Sequence, residues 1–134
     1  MRILIDTNIL ISAMLNPKGT PYQAYLKAVT FPNHAIICDQ NIEELKRIFN
    51  KKFPTKLDAL DRFLSIASLS IEIVQVPVEE DSSESLIRDI KDRPILRAAI
   101  NAKADVLLTG DKDFLESGIE NPKIMTAIEF LNLK

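Results

Sequence analysis

Short apolar runs alternate with segments of helical periodicity along this 134-residue chain, and that alternation limits the fold more than any other feature. Arg2 to Ile5, Ala35 to Cys38, Ile71 to Val76, Val106 to Leu108 and Lys123 to Met125 read as strands. Between them, apolar residues recur at helical spacing. Ile9 to Leu15 continue from the first strand into a largely buried helix, and Tyr22, Tyr25, Leu26 and Val29 mark a second, with Thr20 as its N-cap and Pro21 at its first position. A helical hairpin is expected from Asn41 to Ala67, with Pro54 breaking it and Thr55 opening its second arm. Pro94 to Ala104 predicts another helix, and Thr126 with Glu129 forms a capping box for the last one. Strands joined through helices pair in parallel by right-handed crossovers. The expectation is an α/β fold, a three-layer α/β/α sandwich around a central, mostly parallel five-stranded sheet, with residues 1–134 as one domain.

Composition agrees with strands buried on both faces, because hydrophobic residues make up 46% of the chain while aromatics are only 6% and Trp is absent. The core must therefore be built mainly from Ile, Leu, Val and Ala. A net charge of -2 argues against a broadly basic surface that coats nucleic acid, though local patches of either sign remain open. Cys38 has no partner for an intramolecular disulfide and reads as a small buried hydrophobe. The apolar run at Arg2 to Ile5 is too short for a signal-peptide core, and no segment approaches the roughly 20 apolar residues of a membrane span. A cytoplasmic protein without membrane association is expected.

Acidic residues stand where these strands end or where the neighbouring helices begin. Asp6 follows the first strand, Glu44 lies just beyond the second, Asp92 precedes an alanine-rich helix, and Asp111 follows Val106-Leu107-Leu108-Thr109-Gly110. A parallel sheet aligns the carboxyl ends of its strands along one edge, where ligands bind. Carboxylates gathered there repel one another unless a cation lies between them, and hard cations such as Mg²⁺ prefer this all-oxygen chemistry. Thr7 adds a hydroxyl able to bond a carboxylate or a nucleophilic water, and Asn8 an amide able to orient a phosphate. Thr109 repeats that chemistry beside Gly110, which lets backbone approach closely.

Each acid also has a purely structural reading. Asp6 and Asp92 both stand where an N-cap belongs, Asn41 and Glu44 have capping-box spacing, and Asp113 is placed to cap the Phe114-Leu115 turn. Glu43 reads as a solvated helix charge, His34 as exposed in a polar turn, and Glu79 to Ser85 as a mobile loop.

Together, Ile5-Asp6-Thr7-Asn8-Ile9-Leu10-Ile11-Ser12, Asp92-Arg93-Pro94-Ile95-Leu96-Arg97-Ala98-Ala99 and Ala104 through Leu115 resemble the PIN-domain nucleases, particularly the small toxins of toxin-antitoxin pairs. Ile128-Glu129-Phe130-Leu131 is similar to that family's last helix. The resemblance implies Mg²⁺- or Mn²⁺-dependent cleavage of single-stranded or structured RNA. It also implies an acidic set of Asp6, Glu44, Asp92 and Asp111, with Asp113 as an accessory ligand, a small antitoxin as partner, and a homodimer. The hairpin and the Glu79 to Ser85 segment are the expected partner surfaces. Ile90 stands where relatives often have proline, so Asp89 competes with Asp92 for the third acidic position, as Glu43 does with Glu44 for the second.

In the expected mechanism, Asp6, Asp92 and Asp111 hold one ion with Glu44 partly through water, and water attacks phosphorus in line with help from Thr7 or Thr109. Arg88, Arg93 and Lys112, with Lys18 and Arg97, are weaker candidates for the substrate rim. Two rival folds fit less well. A phosphoacceptor receiver needs an aspartate at the end of strand three, where Val76-Pro77 stands, and a haloacid-dehalogenase phosphatase needs one where Asn8 stands. The alternatives within the family are a domain that binds RNA or antitoxin without turnover, and a nuclease of RNA maturation or decay.

Overall fold

The computed structural model describes residues 1–133. Five parallel strands, β1 (Arg2–Ile5), β2 (His34–Cys38), β3 (Glu72–Val74), β4 (Val106–Leu108) and β5 (Lys123–Met125), form one sheet in the order β3-β2-β1-β4-β5. The helices are α1 (Thr7–Leu15), α2 (Thr20–Val29), α3 (Asp39–Lys52), α4 (Leu57–Ser70), α5 (Arg93–Asn101), α6 (Lys112–Leu115) and α7 (Ala127–Asn132).

Side-chain alternation along the strands builds two cores. Ile3 and Ile5, Ala35 and Ile37, and Val106 and Leu108 face a layer containing Leu10, Ala24, Leu45, Phe49, Leu60 and Phe130. Leu4, Ile36, Cys38 and Leu107 face the opposite way, onto Leu96, Ala98, Ala99 and Phe114. Every strand residue from Ile3 to Ile5 is fully buried, which is why these runs are apolar throughout instead of alternating with polar residues.

Strand order decides where a site can form. β1 sends the chain outward through β2 and β3 on one side, whereas β4 and β5 add on the other, so the order reverses between β1 and β4. Ile5 and Leu108 are paired across that boundary, and the chain leaves both strands there as Asp6 and Thr109. A crevice opens at such a reversal because the two connections diverge to opposite faces.

Several local expectations need correction. Gly19, not Thr20, is the N-cap of α2, with Thr20 already helical. The hairpin's first arm begins at Asp39, and Thr55 lies in a 3₁₀ turn, Pro54–Lys56, between the arms. Asn41 and Glu44 form no capping box. The Asn41 side chain instead accepts from the Cys38 N–H at 2.8 Å. The third strand is shorter than expected, ending at Val74.

Glu79 to Ser85 is not a featureless loop, because a 3₁₀ turn spans Ser82–Leu86 and Asp81 caps it through the Ser83 N–H at 2.9 Å. Glu84 is buried beneath that turn and receives two bonds from Arg97, at 2.8 and 3.0 Å, while Arg97 also donates to the Pro77 carbonyl. A planar guanidinium suits this forked geometry. Arg97 is therefore withdrawn from the substrate rim and ties the turn to α5. Replacing Arg97 with Ala is expected to leave the sheet intact but expose the 79–86 segment to proteolysis, which limited Glu-C digestion followed by mass spectrometry would read.

Helix α5 stops earlier than its alanine pattern suggests. Lys103 takes a left-handed conformation with φ 57°, and the N–H groups of Lys103 and Ala104 return to Ile100 and Ala99. That arrangement closes a helix end and ordinarily uses glycine.

Candidate metal centre

Asp6 ends β1 and caps α1, and it is 7% exposed. Its Oδ1 accepts from the Thr7 N–H at 2.9 Å and its Oδ2 from the Thr109 hydroxyl at 2.7 Å. Burial pushes its pKa up to about 6, against the opposing effect of the Thr109 and Thr7 bonds and with added repulsion from Glu44 and Asp111. Thr109 is fully buried and does two jobs. Its hydroxyl donates to Asp6 and accepts from the Asp111 N–H at 3.0 Å, so one side chain links the ends of β1 and β4.

Glu44 arrives from the second turn of α3, where its Oε1 accepts the Thr7 hydroxyl at 3.0 Å and its Oε2 lies 4.0 Å from Arg47. Partial burial raises its pKa, an effect opposed by Thr7 and Arg47. Glu43, one position earlier, is exposed.

Asp92 holds the N-cap position of α5 without making a cap bond, and its Oδ2 is buried with no partner among the described residues. Its pKa is pushed up to about 8, first by burial, then by the charge and contact of Asp111 and the charges of Asp6 and Asp89. Asp111 is the N-cap of α6, accepting from the Asp113 N–H at 2.9 Å. The expected cap at Asp113 is thus supplied by Asp111 instead. Freed from capping, the Asp113 carboxylate approaches Asp89 and Asp92, and one ligand oxygen from each of these three lies within 4.8 Å of the others.

Of the acids expected to share the site, Asp6 feels the charges of Glu44 and Asp111. Asp92 feels the charges of Asp111, Asp6 and Asp89, while the oxygens that converge within 4.8 Å are those of Asp89, Asp92 and Asp113. Asp89 therefore joins Asp92 and does not displace it. Arg88 borders the converging group, bonding Asp113 at 2.9 Å and Glu116 at 2.8 Å. The Arg93 Nε donates to the Ile87 carbonyl at 3.0 Å, while Lys112 and Lys18 are exposed and carry no side-chain bond among the described residues. Asn8 is exposed beside Gly110, where an added Cβ would come within 3.9 Å of its amide nitrogen. His34 is exposed, as expected, and lies 2.8 Å from Glu72. Burial raises the Cys38 thiol to about 11, in keeping with an inert core position.

Sequence reasoning missed Asn41 as a member of this assembly. It is fully buried, and its Nδ2 donates to the Thr7 hydroxyl oxygen at 2.9 Å. An amide amid the apolar positions of α3 was the available signal, obscured by its capping-box spacing to Glu44.

The donors fit a divalent cation on two grounds. All are oxygens, the preference of Mg²⁺ and Mn²⁺, and the Asp92 oxygen lacks the partner a buried carboxylate requires. Protonation is the metal-free alternative. The folded-state pKa values of Asp6 and Asp92 lie above the ordinary carboxylate range, so their contribution to stability is complete at low pH and is lost as pH rises through about 6 for Asp6 and about 8 for Asp92. Chelator-treated protein should accordingly melt at lower temperature at about pH 8.5 than at about pH 5. Asp92→Asn should flatten that slope in scanning calorimetry.

A parallel sheet with carboxylates at its strand reversal defines a class of α/β proteins with an acidic, cation-suited centre. Residues 2–113 match the family model of the PIN domain, and the chain belongs to that family. It is 28% identical over 126 residues to the uncharacterized protein MJ1680 of Methanocaldococcus jannaschii, covering 90% of this chain and 77% of that one. Its fold is similar to a chain in the crystal structure of VapBC2 from Rickettsia felis bound to a DNA fragment from their promoter. The TM-score is 0.71 with 22% identity, over 94% of this chain and 98% of the other. Among the described residues, no helix is long and apolar enough to cross a membrane.

Proposed function

We propose that this protein is a metal-dependent endoribonuclease, the toxin of a toxin-antitoxin pair, with Asp6, Glu44, Asp92 and Asp111 as its catalytic acids. The observation that carries the reading is the buried Asp92 oxygen without a partner among the described residues, in a carboxylate that converges with Asp89 and Asp113 and feels the charges of Asp111 and Asp6. Asp6, Asp92 and Asp111 would hold Mg²⁺ or Mn²⁺, and Asp113 would be an accessory ligand. When bound, the cation neutralises charge on a scissile phosphate and lowers the pKa of water.

The remaining work falls to the chain. Thr109 fixes the Asp6 carboxylate and the Asp111 backbone through its single hydroxyl. Thr7 holds Glu44 in place at the opposite wall of the crevice, near enough for its charge to act on Asp6. Lys112 is the exposed candidate for a phosphate contact, Arg88 would have to leave Asp113 and Glu116 to make one, Arg93 is partly engaged with the Ile87 carbonyl, and the exposed Asn8 could orient the phosphate. RNA contacts of this kind weaken with salt.

The VapBC2 likeness supports an antitoxin partner, and Ile66 and Leu69, both strongly exposed on α4, suit a homodimer or antitoxin contact. Incubation of purified protein with fluorescent single-stranded and hairpin RNA should yield cleavage with Mg²⁺ or Mn²⁺, and none in EDTA. Cleavage that survives EDTA would reject the assignment. RNA binding without any turnover would instead favour a domain that acts by sequestration.

A further inference from the structure

We infer that Asn41 is a positioning residue that sets the direction of the Thr7 hydroxyl and thereby orients Glu44 toward the acidic centre. This rests on the nuclease reading above and extends it to a residue outside the acidic set. The amide of Asn41 cannot turn over freely. Its oxygen is held by the Cys38 backbone N–H at 2.8 Å, which leaves the NH₂ group facing the Thr7 oxygen at 2.9 Å.

An NH₂ group only donates, so the Thr7 oxygen must accept. The hydroxyl proton is then directed to the remaining neighbour, the Glu44 Oε1 at 3.0 Å. Backbone geometry at the end of β2 is in this way transmitted through two neutral groups to one carboxylate oxygen. Asn41 and Thr7 are both buried, so water does not compete for these bonds. Glu44 therefore has one oxygen committed, and its Oε2, with Arg47 only at 4.0 Å, is the oxygen left for the site.

The polarity makes a specific substitution informative. Asn41→Asp keeps the side-chain shape and the acceptor for Cys38, but it presents an acceptor to Thr7 and turns the hydroxyl away from Glu44. Thr7→Val removes the hydroxyl, and Thr7→Ser retains it. These variants would be measured alone and in a Glu44→Gln background, for kcat and KM on single-stranded RNA with Mn²⁺, for Mn²⁺ affinity by calorimetry, and for melting temperature.

The expected result is a fall in kcat of about 10- to 100-fold for Asn41→Asp and Thr7→Val, on the scale of residues that orient metal ligands, with KM little changed. Mn²⁺ affinity should weaken in the same two variants, Thr7→Ser should recover most of the kcat and Mn²⁺ affinity that Thr7→Val loses, and none should lose more once Glu44 is Gln. Additive losses in the Glu44→Gln background, or a Thr7→Ser protein as impaired as Thr7→Val, would overturn the inference. So would Mn²⁺ affinity and kcat that do not respond to Glu44→Gln. If the parent binds Mn²⁺ but cleaves no RNA, the nuclease reading fails by itself, and the Mn²⁺ couplings alone decide the role of Asn41.

Discussion

Asp6→Asn is expected to reduce metal-dependent RNA cleavage by about a thousandfold or more while leaving the fold in place, the scale reached when a preorganised electrostatic contact is lost from a dry site. The two halves of that expectation have separate causes. Activity falls because an amide offers a neutral, weaker ligand where the ionised carboxylate draws the cation. The fold survives because Asp6 contributes to the apo structure at a cost, its charge being disfavoured by burial and by Glu44 and Asp111. Asparagine fills the same space, still accepts from the Thr7 N–H and removes that repulsion, which offsets the loss of the Thr109 hydroxyl bond where its NH₂ replaces the Oδ2 acceptor. Melting temperature without metal should be unchanged or higher at neutral pH, and the stabilisation by added Mn²⁺ seen in the parent should shrink. A variant that cleaves as fast as the parent would remove Asp6 from the mechanism.

Phe114→Ala should destabilise the protein by about 3–5 kcal/mol, the usual range for emptying a fully buried aromatic position. Phe114 is completely inaccessible and packs in the core layer that also holds Leu4, Ile36, Leu96 and Leu107. Its position gives the loss a second consequence. It lies three residues after Asp111, and α6 is a single turn in which the Asp113 N–H donates to the Asp111 carboxylate and the Phe114 and Leu115 N–H groups donate to the Asp111 carbonyl. With the ring gone, the turn keeps its polar ties to Thr109 and Arg88 but loses its buried apolar anchor. Mn²⁺ affinity should fall along with denaturant stability, whereas truncating Phe49, equally buried but in the opposite core layer, should cost comparable stability with a smaller effect on the metal. Chemical denaturation and calorimetry on the two variants would separate these effects.

Much of the fold could be read from the chain because its signals are local. Strands buried on both faces appear as apolar runs, and Thr126 with Glu129 announced the start of α7, with bonds of 3.2 and 3.0 Å between side chain and backbone in both directions. Boundaries failed where the usual markers were missing. Lys103 occupies a left-handed position that glycine normally signals, so the end of α5 was invisible. The 82–86 turn is held by Glu84 and Arg97, 13 residues apart and belonging to no local pattern, so it read as a loop.

The candidate site divides in the same way. Sequence by itself determined which acids lie at strand ends, because the place where an apolar run stops is a property of neighbouring residues. Which of them share a space depends on distant segments. Asp89, Asp92 and Asp113 meet because α5 and α6 begin on the same side of the sheet, and Asp6 joins Asp111 only through Thr109, 103 residues along the chain. Thr7, Glu44 and Asn41 are linked across the β1 and β2 connections by hydrogen bonds whose direction is set once the backbone at Cys38 is fixed. Local interactions decide what each segment becomes, but carboxylate repulsion, burial and hydrogen-bond polarity act through space, and only the packed structure brings them to bear.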